Sequence, residues 1–76
     1  MDVTATETIA ANVRREMRAR AWTQTDLARE AGVTQPQVSD IISGDIDHRI
    51  SKLEKVAKAF GVTLSALLMP VADKKV

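Results

Sequence analysis

The chain is short and nearly balanced in charge. Its 76 residues carry a formal net charge of +1, and they include 45% hydrophobic residues, 3% aromatic residues, one histidine and no cysteine. A chain of this length forms one domain that buries only about 60% of the surface of its unfolded form, so we expect a helical bundle with an aliphatic core. The missing cysteines exclude a disulfide scaffold and any cysteine-based metal site or nucleophile, and a single histidine excludes a histidine cluster.

The sequence shows no sign of membrane targeting. No apolar run approaches the roughly 18 residues that a membrane span needs, and the N-terminal residues lack the charged-then-apolar layout of a signal peptide. We therefore expect a cytoplasmic protein without membrane contact.

The first predicted helix carries a basic surface. The first eight residues are small and polar and predict a frayed end, after which a helix is expected from about Thr8 to Arg20. Ile9, Val13 and Met17 form its inward stripe. Its other faces hold four arginines against one acid, Glu16: Arg14, Arg15, Arg18 and Arg20. As a group these arginines indicate a phosphate-facing field, and the alternative is a solvated face whose cations complement the helix dipole.

Two helix starts of the same kind come next. Thr23 precedes Asp26 by three residues, and Thr34 precedes Gln37 by three. Each is the spacing of a capping box, in which the threonine hydroxyl and the later side chain satisfy backbone N–H groups reciprocally. Gly32 supplies the left-handed backbone that ends the first of the two helices. Two short helices should therefore meet at a sharp angle.

The second of these two helices, about residues 35–43, is two-sided. Val38, Ile41 and Ile42 recur at the spacing of a buried stripe. The opposite face carries amide, hydroxyl and carboxylate groups suited to the edges of bases: Gln35, Gln37, Ser39, Asp40 and Ser43. This arrangement is a helix-turn-helix whose second helix is presented outward.

The remaining chain predicts two more helices. A loop with Asp45 and Asp47 beside His48 and Arg49 is followed by a helix from about residue 50 to Phe60. A short fifth helix spans residues 64–69, where a proline stops it. We thus predict one all-α, five-helix domain over residues 1–76, ordered from about residue 8 to residue 70, with flexible termini. Its predicted core comprises Ile9, Val13, Met17, Trp22, Leu27, Val38, Ile41, Leu53, Val56, Phe60 and Leu67.

The stretch TQTDLAREAGVTQPQVSDIISG resembles the helix-turn-helix of the phage-repressor-like, Xre-type DNA-binding domains. The stretch ISKLEKVAKAFGVTLSALL is similar to the fourth helix, GV turn and fifth helix of that lambda-repressor-like family. The resemblance covers roughly residues 9–68 and is specific, because a series of positions agrees without a gap: Gln24, Leu27, Ala28, Gly32, Val33, Val38, Gly44, Leu53, Ala57, Gly61, Val62 and Leu67.

The resemblance implies a sequence-specific transcriptional regulator, most often a repressor, that inserts its third helix into the major groove of double-stranded DNA. The base-reading side chains would be Gln35, Pro36, Gln37 and Asp40, where Pro36 offers only an apolar contact, for instance to a thymine methyl. Gln24 would bind a phosphate and brace the recognition helix. The phosphate or positioning set would comprise Thr23, Gln24, Thr34, Ser39, Ser43, Arg14 and Arg49. Any of these residues is alternatively an exposed polar residue without a ligand.

The chain departs from the family at one pair of positions. Many repressors of this type pair an arginine late in the first helix with a glutamate near the end of the recognition helix, and those positions hold Met17 and Ile42 here. Replacing both partners of a buried ion pair by apolar residues is often neutral or stabilising, whereas replacing one strands a charge. The paired change predicts a contact between Met17 and Ile42.

A homodimer on an approximate palindrome is expected on energetic grounds. A single recognition helix on a chain of net charge +1 has too little energy for specific binding, and pairing two copies about 34 Å apart doubles the interface. Surplus apolar residues near the C-terminus would form the dimer contact: Leu64, Leu68, Met69 and Val71. The alternative is that these residues only close the bottom of the bundle.

A second functional class stays open: an antitoxin or adaptor module that mainly binds a partner protein, such as a cognate toxin, with DNA binding secondary. The low net charge and the acidic loop favour it. An enzyme is not expected, because no serine, histidine and carboxylate set and no phosphate-cradling glycine loop is present. No cofactor and no metal are expected either.

Overall fold

A computed structural model of the protein describes residues 3–44 and 50–69, with side chains from Thr6 onward in the first range and from Ser51 onward in the second. Five helices occupy these ranges: α1 (Val3–Arg20), α2 (Gln24–Ala31), α3 (Gln35–Ser43), α4 (Ile50–Phe60) and α5 (Leu64–Leu68). The described residues contain no strand, and the predicted all-α, five-helix fold is confirmed. Among them, no helix has the length and apolar character needed to cross a membrane.

Helix α1 is longer than the sequence indicated. It begins at Val3 rather than at Thr8. Thr6, in the segment that we expected to fray, is only 9% exposed. The helix therefore extends over residues whose own pattern gives no helical period, and at Thr6 it is buried against the bundle.

The core is aliphatic except for Phe60 and is shared by all five helices. Its buried members are Ile9, Val13, Met17, Leu27, Ala28, Val38, Ile41, Leu53, Val56, Ala57, Phe60 and Leu67. Every residue of the predicted core is among them except Trp22, which is only partly buried. The Trp22 ring instead stacks on Phe60 at the edge of the core, with ring centroids 5.7 Å apart. Helix α1 packs on α3 and α5, α2 packs on α3 and α4, and α4 packs on α5.

Asn12 ties α1 to the end of α5. Its side chain is 1% exposed, and its amide Nδ2 donates to the carbonyl oxygens of Leu67 and Met69, both at 2.7 Å. The last carbonyls of a helix have no partner within the helix, so a side chain from elsewhere can satisfy them. The role of Asn12 is not visible in the sequence, because a polar residue in an amphipathic helix gives no signal of a partner that lies far along the chain.

Two arginines of α1 serve the ends of two other helices in the same way. Arg14 Nη1 donates to the Ile42 carbonyl in the last turn of α3 at 2.7 Å. Arg20 Nη2 donates to the Phe60 carbonyl at the end of α4 at 2.6 Å, while its Nη1 pairs with Glu16 Oε1, also at 2.6 Å. A cation at a helix C-terminus also interacts favourably with the helix dipole. Arg20 is therefore a structural residue, although its position suggested part of a phosphate-facing field.

The ends of α1 and α2 differ in backbone chemistry. Helix α2 is followed by its cap Gly32, which has the predicted left-handed backbone, with φ 73°. Helix α1 is followed by Ala21, with φ 57°, the one described non-glycine residue at positive φ. A left-handed backbone brings a Cβ close to the following carbonyl oxygen. The end of α1 is thus strained where the end of α2 is not.

Candidate nucleic-acid interface

The helix-turn-helix begins each of its helices with a complete capping box. Thr23 Oγ1 accepts from the Asp26 N–H at 3.1 Å, and Asp26 Oδ2 accepts from the Thr23 N–H at 2.9 Å. Thr34 Oγ1 accepts from the Gln37 N–H at 3.2 Å, and Gln37 Oε1 accepts from the Thr34 N–H at 3.0 Å. Both predicted boxes are confirmed. They fix where α2 and α3 start, and hence which side chains face outward.

The first capping box also changes an ionisation. The Thr23 backbone N–H, the Thr23 hydroxyl and the nearby Arg29 guanidinium together hold the pKa of Asp26 below its ordinary value of 3.8. A lowered pKa in the folded protein means that the carboxylate stabilises the fold above its ordinary pKa and that this contribution is lost as the pH falls through the lowered value. The cap is fully formed at neutral pH.

Helix α3 separates its apolar and polar residues as the sequence predicted. Val38 and Ile41 are 0% and 4% exposed. The exposed side carries all but Gln37 of the reading and positioning residues predicted on this helix: Gln35, Pro36, Ser39, Asp40 and Ser43. The Ser43 hydroxyl donates to the Asp40 carbonyl at 3.1 Å and so faces its own helix end.

Gln24 and Gln35 connect the first residues of α2 and α3. The Gln35 amide Nε2 donates to Gln24 Oε1 at 3.2 Å. This bond spans the turn between the two helices, and it is the kind of brace that the resemblance implies for Gln24. It leaves Gln35 with one free N–H and a free carbonyl oxygen, because a side-chain amide has two donor hydrogens.

Gln37 is used differently from Gln35. Its Oε1 is engaged in the capping box with Thr34, and the residue is partly buried. Its free donors are the two N–H bonds of Nε2. The capping role and the base-reading role therefore compete for the side chain of Gln37. The sequence predicted both roles but does not show that they use the same amide group.

Part of the predicted phosphate set surrounds an open groove of about 330 Å³ between α1, α2 and α3. Its lining residues are Arg14, Met17, Arg18, Trp22, Thr23, Gln24 and Ile42. The structure thus brings the predicted Arg14, Thr23 and Gln24 together, while Thr34, Ser39 and Ser43 lie elsewhere along α3 or at its start. Arg49, together with His48, lies outside the described residues. Arg18 joins the groove although it was not among the predicted site residues.

Met17 and Ile42 share this groove and the apolar cluster beneath it. Met17 is 8% exposed, and Ile42 packs partly buried against the same core. Two apolar residues occupy the positions where the resembling repressors carry opposite charges. Because Met17 and Ile42 line the same groove and pack on the same cluster, their placement is compatible with the predicted contact between them.

A protein-family model described as "Helix-turn-helix" matches residues 13–67. The chain belongs to this helix-turn-helix family. It is 33% identical over 55 residues to the "Neisseria hypothetical transcription factor" of Neisseria meningitidis serogroup B (strain ATCC BAA-335 / MC58), a match that covers 72% of this chain and 52% of that protein. The chain therefore spans about half the length of this curated relative.

Solved structures resemble the helix-turn-helix chain over most of its length. The crystal structure of the hypothetical transcription factor NHTF from Neisseria aligns with a TM-score of 0.79 and 33% identity, covering 91% of this chain and 77% of that chain. An HTH_3 family transcriptional regulator from Vibrio cholerae aligns with a TM-score of 0.78 and 24% identity, covering 88% of this chain and 38% of that chain. The second likeness shows the fold alone. The helix-turn-helix family is a non-enzymatic DNA-binding class, so the prediction that the chain is not an enzyme is confirmed.

The predicted dimer residues of the helix-turn-helix chain have unequal exposure. Leu68 and Met69 are 43% and 63% exposed, which makes them the large exposed apolar side chains of the described residues. Leu64 packs partly buried against the core of its own chain, and Val71 lies outside the described residues. Within those residues, no group of His, Cys, Asp or Glu is placed to hold a metal ion.

Proposed function

We propose that the protein is a cytoplasmic, sequence-specific DNA-binding regulator, acting as a transcriptional repressor, that inserts α3 into the major groove. The observation that carries the proposal is the outward polar face of α3, anchored at its start by the bond between Gln24 and Gln35. Membership of the helix-turn-helix family and the 33% identical Neisseria protein, which is described as a hypothetical transcription factor, support it.

The base preferences of the two reading glutamines should differ. Gln35 retains one N–H and its carbonyl oxygen after bonding Gln24, and these groups match N7 and the N6 amino group of adenine. Gln37 spends its carbonyl oxygen on the cap and offers N–H donors, which suit guanine N7 and O6 or thymine O4. Asp40 can accept from a cytosine amino group, and Pro36 can contact a thymine methyl.

The positioning residues would hold the DNA backbone on both sides of α3. Arg14, Thr23 and Gln24 line one groove beside the helix-turn-helix and supply a cation, a hydroxyl and an amide. Thr34, Ser39 and Ser43 are exposed along α3 and at its start. Such contacts set orientation without reading sequence. Arg49 belongs to the same proposed set.

Selection of binding sites from random duplexes tests the proposal directly. On the selected site, Gln35→Ala should cost about 1–3 kcal/mol and should lower binding to random DNA very little. Ser65→Ala, at an exposed position of α5, is the matched control and should leave both affinities unchanged. Equal losses on selected and random DNA would make Gln35 a phosphate contact instead of a reader. Failure to enrich any site would remove the sequence-specific function.

We further propose that two copies bind an approximate palindrome, joined near α5. The exposure of Leu68 and Met69 supports this arrangement, because large apolar side chains at one helix end favour burial against a partner. Leu68→Glu should shift the protein towards monomer in sedimentation. Thr25→Glu adds the same charge at an exposed position of α2, away from α5, and should not. A wild-type protein that remains monomeric at high concentration and fills two half-sites independently would exclude the dimer.

The exposed pair Leu68 and Met69 also favours one second candidate, an antitoxin or adaptor module that mainly binds another protein. Salt separates the two functions. Neutralisation of phosphates gives a slope of log affinity against log salt of about −0.9 per contact. A protein-only binder gives no salt-dependent affinity for duplex DNA at all.

A further inference from the structure

The groove between α1, α2 and α3 has features that DNA contact does not use. Its walls include three apolar side chains, those of Met17, Trp22 and Ile42. A DNA phosphate needs donors and charge but gains nothing from apolar surface. The groove is thus amphipathic, with an apolar wall beside polar and cationic residues.

The charged residues of this groove have one sign. Arg14 and Arg18 line it, and no acid is among the described residues that do. Glu16, the acid of α1 nearest in sequence, is held by Arg20 at 2.6 Å and lies 3.9 Å from Arg15. Arg14 makes one bond, to the Ile42 carbonyl, and Arg18 is exposed with no ion pair to any described residue. At least one guanidinium is available to an anion.

We infer that this groove binds a small amphipathic carboxylate, such as an aryl or short alkyl acid, with its apolar part on Met17, Trp22 and Ile42 and its carboxylate on Arg18 and Arg14. The pairing follows from the geometry of guanidinium, whose fork of N–H donors matches the two oxygens of a carboxylate. The Gln24 side chain and the Thr23 hydroxyl add polar contacts at the same rim.

The size of the groove sets the size of the ligand. Its volume of about 330 Å³ lies near the lower end of the roughly 300–1,000 Å³ that small-molecule sites span. The groove is open, so a ligand of about ten non-hydrogen atoms would be only partly enclosed. We therefore expect a dissociation constant on the order of millimolar for a simple acid.

Occupation of the groove has a regulatory consequence that rests on the proposed DNA-binding function. Arg14, Thr23 and Gln24 are proposed phosphate or positioning residues, and all three line the groove. A carboxylate bound there would take donors away from the DNA backbone. The ligand should therefore weaken DNA binding, as an inducer does for a repressor.

The single tryptophan of the chain, Trp22, lines the groove and reports its occupation. Phenylacetate is a suitable probe, with phenylacetamide as its neutral isostere. Phenylacetate should change the Trp22 emission saturably, and the amide should bind about tenfold more weakly, since a charge-assisted bond to arginine is stronger than a neutral one. Amide-resolved NMR shifts should cluster around Met17, Gln24 and Ile42.

Two variants test whether a positive charge inside the groove, and not the net charge of the protein, binds the carboxylate. Arg18→Gln should weaken phenylacetate binding by about tenfold without changing thermal stability, since Arg18 is exposed. Lys55→Gln removes the same charge from an exposed position on α4, outside the groove, and should leave binding unchanged. Equal weakening by both variants would show attraction to net charge and would overturn the inference. So would equal binding of acid and amide, or no saturable shift at the groove.

Binding of DNA and binding of phenylacetate are measured separately. With the selected duplex, phenylacetate should lower affinity for wild-type protein, and Arg18→Gln should need about tenfold more phenylacetate for the same effect. A protein that binds phenylacetate but no duplex would overturn the proposed regulatory function and leave the site standing. A protein that binds duplex but no phenylacetate would overturn the site alone.

Discussion

Arg14 and Arg20 lie on the same helix and each donates to the carbonyl at the end of another helix, but their surroundings differ. Arg20 bonds Glu16 and the Phe60 carbonyl, and its guanidinium carbon lies 5.0 Å from the Phe60 ring centroid and 5.6 Å from that of Trp22. Arg14 makes a single bond, to the Ile42 carbonyl, and is exposed.

The difference shows how one basic helix face divides into structure and function. An N–H donor that already bonds another part of the protein is unavailable to phosphate. The Arg20 guanidinium contacts Glu16, the Phe60 carbonyl and two aromatic rings. Arg14 keeps most of its donors while it touches the end of α3, the helix proposed to read DNA. The number of arginines in α1 therefore overstates the charge that a ligand can use.

The largest expected effect comes from placing a buried guanidinium on α1 between Arg14 and Arg20, at Met17. Met17→Arg should lower the free energy of unfolding by about 3–5 kcal/mol, because Met17 is buried in the core and the new charge has no partner. Adding Ile42→Glu should recover part of the loss, with a coupling of about 0.5–3 kcal/mol in a double-mutant cycle from urea denaturation. Strictly additive losses would mean that the two side chains do not meet.

Direct removal of the two arginines tests the comparison itself. Arg20→Ala should lower the free energy of unfolding by about 2–3 kcal/mol, because it removes charge-assisted bonds and ring contacts together. Arg14→Ala should cost only about 0.5–1 kcal/mol. In salt titrations, however, Arg14→Ala should reduce the slope for DNA by about 0.9, whereas folded Arg20→Ala should not. The reverse assignment of stability and salt slope would contradict the division proposed here.

Asn12 extends the comparison to an uncharged donor on the same helix. Asn12→Ala should lower the free energy of unfolding by about 1–2 kcal/mol, since two carbonyls at the end of α5 lose their donor. Asn12→Asp keeps the shape but removes the N–H groups, and should cost at least as much. Thermal or urea denaturation measures both, and stability equal to wild type in Asn12→Asp would show that the two bonds contribute nothing.

The smallest expected effect concerns the end of α1 itself. Ala21→Gly should raise the free energy of unfolding by about 0.5–1 kcal/mol, since the left-handed backbone costs alanine about 1–2 kcal/mol and glycine returns part of that in unfolded-state entropy. Gly32→Ala is the matched control: an added Cβ meets no atom within 4 Å there, yet φ is +73°, so a loss of about 1 kcal/mol is expected. A loss in Ala21→Gly would contradict the strain at Ala21.

Local chemistry explains why much of the fold was predictable. The capping boxes at Thr23 and Thr34 and the left-handed Gly32 act over three or four residues, so their spacing specifies helix starts and stops directly. Apolar periodicity identified the core for the same reason. The prediction was weaker where packing overrode local preference, as at the start of α1 and at the edge position of Trp22.

The candidate site also has features that were predictable from local sequence and features that depend on packing. The residue types on α3 and their outward placement follow from periodicity, whereas a bracing role for Gln24 was implied only by the family resemblance. The groove does not, because only packing brings Ile42, in the last turn of α3, next to Arg18 and Trp22 at the end of α1. Whether the Gln37 amide bonds the Thr34 backbone or a DNA base also depends on which group lies within reach in the folded protein.

The sequence by itself determined five helices, their boundaries to within a turn except at α1, the buried stripes and the helix-turn-helix, since each depends on interactions between residues close in the chain. Tertiary structure alone decided the roles of the polar side chains of α1. Asn12, Arg14 and Arg20 meet carbonyls 55, 28 and 40 residues away. A hydrogen bond is made to whatever atom lies within about 3 Å, and only the folded chain establishes which atom that is.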